Sequence, residues 1–124
     1  MNQFTYIPAG IFEGMSSLKE LCADENKITR IEKGAFYGLE HLENLLLEDN
    51  PKLKDLSEAR TITYLKALMI RNTQVSDISF LSGMQDLEEV WASNCPISDL
   101  SCLKGKTKLY RLHLGNDKNQ GKIT

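Results

Sequence analysis

Apolar side chains recur along the chain in a short string that occurs five times. The strings open at Leu18, Leu42, Leu65, Leu87 and Leu109, spaced 24, 23, 22 and 22 residues apart. Position 4 of each string is Leu21, Leu45, Leu68, Val90 or Leu112, and position 6 is Ala23, Leu47, Ile70, Ala92 or Leu114. Positions 4 and 6 are two residues apart, so they point to one face of a short strand. The pattern predicts strands near 20–24, 44–48, 67–71, 89–93 and 111–115. A period of 22–24 residues leaves room for a strand and an extended or 3₁₀ return, but not for a long helix. No single repeat can bury its own apolar face. Stacking does so, building one continuous core behind a curved parallel sheet.

The segments between the strings repeat in two dialects. Ile7, Gly10, Phe12, Gly14 and Met15 recur 24 residues later as Ile31, Gly34, Phe36, Gly38 and Leu39. Val75, Asp77, Ile78 and Leu81 recur 22 residues later as Ile97, Asp99, Leu100 and Leu103. The strings resemble the leucine-rich repeat, L-x-x-L-x-L-x-x-N/C, over nearly the whole chain. The first dialect is similar to the 24-residue repeat common in extracellular proteins, and the second to the 22-residue repeat of bacterial internalin-type surface proteins. The stretch from Asn50 to Ser57 is similar to the second group with one extra residue.

The resemblance implies an α/β leucine-rich repeat solenoid of about five repeats. Its curved parallel β-sheet would line the concave face, with extended or 3₁₀ returns on the convex face. Residues 1–124 are expected to form one domain, as a fragment or an uncapped array. In this family the residue at position 9 bonds buried backbone groups in the turns. Here it is Asn26, Asn50, Thr73, Cys95 and Asp117, and Asp117 departs from the pattern. Asp77 and Asp99 are read as caps of the convex turns. The opening at Tyr6–Pro8 and the polar stretch 116–122 carry no capping pattern. The terminal strings would therefore be open edges, which invite pairing.

Positions 3, 5 and 7 point away from the core and form rows across the concave face. The central row is Cys22, Leu46, Met69, Trp91 and His113. One flanking row is Glu20, Asn44, Ala67, Glu89 and Arg111; the other is Asp24, Glu48, Arg71, Ser93 and Gly115. Position 8 adds Glu25, Asp49, Asn72, Asn94 and Asn116 at the rim. Leu46, Met69 and Trp91 are adjacent, apolar and expected to be exposed, as at a contact surface. Trp is enriched at binding hot spots, and Met adapts to different partners. The candidate partner-binding residues are Leu46, Met69, Trp91, His113, Arg71, Glu89, Arg111 and Glu48. The alternative reading is that such apolar residues merely shield one another or meet an adjacent copy.

Composition changes the picture in a few places. The chain has 15 basic and 17 acidic side chains, a net charge of −2 that argues against nucleic-acid binding. Glu20, Asp24, Glu25, Glu43, Glu48 and Asp49 make the first two repeats acidic, while Arg71, Arg111 and His113 make the later half mildly basic. A partner with a basic patch facing the N-terminal half would be favoured. The longest apolar run is Leu45–Leu47, too short for a membrane span or a signal-peptide core. Three cysteines exclude a complete disulfide framework. Cys95 is expected to point inward, and Cys22 to be the accessible thiol.

No nucleophile, base and orienting group can be assembled around His41 or His113. No phosphate loop, dinucleotide turn or zinc spacing is present, so no catalytic residue, cofactor or metal is expected. The expected function is a non-enzymatic module that binds a protein on its concave face. The family resemblance adds a bacterial surface or secreted setting, with adhesion or host recognition as the task. A structural spacer within a larger effector or enzyme stays open. So does a homo-oligomer formed through the uncapped ends or the apolar row.

Overall fold

Each string folds as a three-residue strand at positions 3 to 5. In a computed structural model, which describes residues 4–115, these strands are β2 (Glu20–Cys22), β4 (Asn44–Leu46), β5 (Ala67–Met69), β6 (Glu89–Trp91) and β7 (Arg111–His113). They form one parallel sheet in the order β2-β4-β5-β6-β7. The register equates identical string positions, so Leu21, Leu45, Leu68, Val90 and Leu112 are successive partners. The inter-repeat backbone bonds run on past the strands. The N–H of Ala23 donates to Leu46 O at 2.8 Å and that of Glu25 to Glu48 O at 2.9 Å, and later turns repeat this. Strand character thus ends earlier than position 7, while the repeat-to-repeat ladder continues to position 8.

The two sequence dialects produce two kinds of return. In the 24-residue turns, β1 (Tyr6–Ile7) pairs in parallel with β3 (Arg30–Ile31) as a two-stranded sheet apart from the main one. Phe12 and Phe36 pack with near-parallel rings, centroids 6.4 Å apart. Gly38 belongs to this return for a physical reason. Its φ is +102°, and a Cβ there would sit 2.5 Å from the carbonyl oxygen of Phe12. In the shorter turns the return is a 3₁₀ segment: Ser57–Thr61, Ser79–Gly83 and Ser101–Leu103. The N–H of Ser57, Ser79 and Ser101 each donates to the carboxylate two residues before it, Asp55, Asp77 and Asp99, at 2.9 Å. The expected capping by Asp77 and Asp99 is therefore present, with Asp55 as a third member.

One hydrophobic core runs between the main sheet and the returns, from Ile7 to Ile97. Leu42, Leu45, Leu47, Leu65, Leu68, Leu87 and Val90 are fully enclosed. Enclosure fails at the outer turns, where one stacking neighbour is missing among the described residues. Leu21 and Ala23 are half-buried, and Leu112 is 39% exposed.

Buried polar groups at position 9 hold the turns together. The Asn50 amide, fully buried, donates to Ala23 O, Leu47 O and Glu48 O at 3.1, 2.8 and 3.3 Å, and its Oδ1 accepts the N–H of Ile28. Asn26 does the same one turn earlier, bonding Ala23 O, Asp24 O and the N–H of Phe4. Thr73 keeps only part of this set: its hydroxyl donates to Ile70 O at 2.9 Å. The Cys95 thiol reaches Ile70 O at 3.0 Å, pointing inward as expected. Burial raises the pKa of this thiol, so it is held as an uncharged donor. The expectation for Asp117 lies outside the described residues.

Candidate partner-binding face

The residues singled out for the concave face come together as rows. Register pairing places Cys22 beside Leu46, Leu46 beside Met69, Met69 beside Trp91, and Trp91 beside His113. The flanking row Glu20, Asn44, Ala67, Glu89, Arg111 is aligned in the same way. Adjacent strands sit about 4.8 Å apart, so the three apolar side chains form a patch about 10 Å long.

Exposure differs from expectation. Leu46, Met69 and Trp91 are half-buried rather than exposed, and Ala67 is only 4% exposed. Lateral packing causes this: each side chain is covered on both sides by its row neighbours. Trp91 shows it most clearly. Its indole stacks on the His113 imidazole with centroids 4.0 Å apart and an interplanar angle of 13°. Its Nε1–H donates to Glu89 Oε1 at 3.0 Å, and the Arg111 guanidinium lies 5.7 Å from its ring centroid. Arg111 Nε is also 3.9 Å from Glu89 Oε1 and lies near the exposed Tyr110 ring. Trp91 is therefore held in one orientation, with little rotamer freedom left to lose on binding.

Charge on this face is also more structured than the residue types suggest. Glu43 lies between Lys19 and Lys66, at 3.6 and 3.8 Å, so its charge is largely matched. Glu48 has one cation, Arg71 at 3.9 Å, where Glu43 has two. Burial raises the pKa of Glu48; Arg71 opposes the shift, while Asp24 and Asp49 add to it. Asp24 Oδ1 accepts the N–H of Glu48 at 2.7 Å, which draws the two residues together. Among the described residues Glu20, Asp24, Glu25 and Asp49 form no ion pair. Of the six acidic residues only Glu43 is matched by two lysines, so the acidic end keeps Glu20, Asp24, Glu25 and Asp49, with Glu48 beside them paired to Arg71.

The rim carries a feature that periodicity does not announce. Glu25, Asp49, Asn72 and Asn94, all at position 8, have φ between +56° and +62°. Asn72 Nδ2 donates to Asp49 Oδ1 and Asn94 Nδ2 to Asn72 Oδ1, each at 2.6 Å. The signal lay in the residue types, since Asn and Asp tolerate left-handed backbone better than most. Away from this face, His41 is exposed and its Nδ1 lies 2.9 Å from Ser16 O, linking two turns. Cys22 is the exposed thiol, as expected, while Cys95 and Cys102 are partly buried.

A family model described as leucine rich repeat matches residues 1–51. A search of curated proteins returns no match. Internalin C2 of Listeria monocytogenes str. 4b F2365 superposes with a TM-score of 0.73 at 32% identity, over 82% of this chain and 43% of that one. An internalin (inlF) of the same strain gives 0.74 and 33%, over 82% and 29%. The chain spans less than half the length of either structure. Repeat pattern, parallel sheet and structural neighbours agree: the chain is a leucine-rich repeat protein with internalin-like repeats.

Proposed function

We propose that this chain is a non-catalytic module that binds a protein across its concave sheet, centred on Leu46, Met69 and Trp91. The observation that carries the reading is the immobilised Trp91, hydrogen-bonded, stacked on His113 on one side and continuing the apolar row of Met69 and Leu46 on the other. A rigid aromatic set among Met and Leu, with Arg111, Glu89, Arg71 and Glu48 around it, has the composition of a binding hot spot and its polar rim. The internalin-like repeats favour a bacterial surface or secreted protein engaged in adhesion or host recognition. Fold alone does not fix function, so the face itself must be tested.

The test is a paired capture. Wild type and a Met69→Glu/Trp91→Ala variant are immobilised and exposed to the same lysate and secreted-protein pools, with folding of both checked by circular dichroism. A protein retained by the wild type alone supports the reading. Identical retention by both contradicts it.

A second reading, self-association, is favoured by the apolar row, where a second copy would cover the half-buried Leu46, Met69 and Trp91. Light scattering across micromolar concentrations decides it: a growing mass supports it, and a constant 14.0 kDa removes it.

A further inference from the structure

The concave row is unevenly charged along its length, and this constrains what can lie on it. At the β6–β7 end the charges are matched within the face, Glu89 against Arg111. At the β2–β4 end Arg71 pairs with Glu48 at the same 3.9 Å, but Asp24 and Asp49 beside it form no ion pair among the described residues, so the carboxylates outnumber the cations. Asp24 and Glu48 sit at position 7, two residues beyond Cys22 and Leu46 and on the same side of the sheet. An unbalanced carboxylate pair therefore borders the apolar row at one end only.

Resting on the concave-face reading, we infer that the partner is a protein segment that crosses the strands and presents two side chains at fixed spacing. One is a Lys or Arg seated over Asp24 and Glu48; the other is an aliphatic or aromatic side chain seated on Met69 and Trp91. The cation supplies the charge the face lacks, and the apolar side chain completes the cover of the row. The two seats are about two strand spacings apart across the sheet and two residues apart along it, a diagonal of about 12 Å. An extended chain advances about 3.3 Å per residue, so the basic and apolar residues stand two to four positions apart. An acidic segment in the same place would meet uncompensated like charge.

The experiment selects from a display library of random linear peptides on the immobilised wild type, then measures the enriched peptides on three proteins. The first is wild type, the second Asp24→Asn/Glu48→Gln, and the third Met69→Glu. The amide substitutions in the double variant keep side-chain shape and one acceptor oxygen each while removing the charge. The inference predicts enriched peptides with Lys or Arg two to four positions from an apolar residue. Their affinity falls about tenfold or more on the uncharged double variant and falls with rising salt on the wild type. Enriched peptides that lack this pairing, or that bind the double variant and high-salt wild type as well as before, overturn it. An empty selection, or peptides indifferent to Met69→Glu, overturns the concave-face reading itself, so the two failures are told apart.

Discussion

The Trp91 indole lies on the His113 imidazole, rings 4.0 Å apart and 13° from parallel, because β6 and β7 place the two residues in direct register. His113 thus covers one face of the only tryptophan in the chain. His113→Ala is expected to bare that face. Trp91 emission should shift to longer wavelength, and the fold should lose about 0.5–1.5 kcal/mol. An unchanged spectrum would mean that the stack does not persist in solution.

The position-9 side chains predict a graded response. Asn50→Ala leaves the buried Leu47 O and Ile28 N–H without their partner, while Ala23 O keeps the Asn26 amide and Glu48 O keeps the Glu25 N–H, so it should cost about 3 kcal/mol or more. Thr73→Val removes one good hydrogen bond, to Ile70 O, and should cost about 1–2 kcal/mol. Denaturant unfolding of both variants checks the order, and equal losses would show that the buried amide is not the organising group.

Acid should weaken the convex side. Asp55 is held below its ordinary pKa of 3.8 by the Ser57 hydroxyl and then its N–H; Asp77 and Asp99 are held low by the N–H of Ser79 and Ser101 and then their hydroxyls. Depressed folded pKa values stabilise fully above about pH 4, and the contribution is lost as pH falls through them. Glu48 acts with the opposite sign: its raised pKa costs stability at neutral pH, and that cost fades on acidification. An Asp55→Asn/Asp77→Asn/Asp99→Asn variant should therefore lose less stability than wild type between about pH 4 and pH 2. Parallel acid titrations of unfolding would contradict this.

Glu25 is the least suited of the four position-8 residues to its backbone, at φ +56°. Glu25→Asn keeps the inter-repeat N–H bond to Glu48 O and relieves the left-handed strain. It should stabilise by about 0.5–1 kcal/mol in thermal or denaturant unfolding. A destabilised variant would place a specific contact on the Glu25 side chain.

The repeat number, the strand faces and the register were legible because they follow from a spacing that recurs within one chain. Leu45 and Leu47 had to face inward together, and Leu46 had to face the other way. Contacts between repeats were less legible. The burial of Ala67 and the half-burial of Leu46 and Met69 arise from side chains on adjacent turns, which periodicity does not describe. The β1–β3 pairing was hidden because each strand has only two residues. The Gly34 N–H bond to Glu58 Oε1, at 2.9 Å, also joins residues 24 apart in different dialects, so no repeated motif marks it.

The most direct test of concave-face binding is the affinity of a captured partner for four proteins: wild type, Trp91→Ala, Met69→Glu and Arg60→Ala. Arg60 lies in the convex 3₁₀ segment and serves as the control. Binding through the concave row predicts a loss of about 30-fold or more for each concave variant and wild-type affinity for Arg60→Ala. Full affinity in both concave variants, with loss in Arg60→Ala, would place the binding face on the other side of the solenoid.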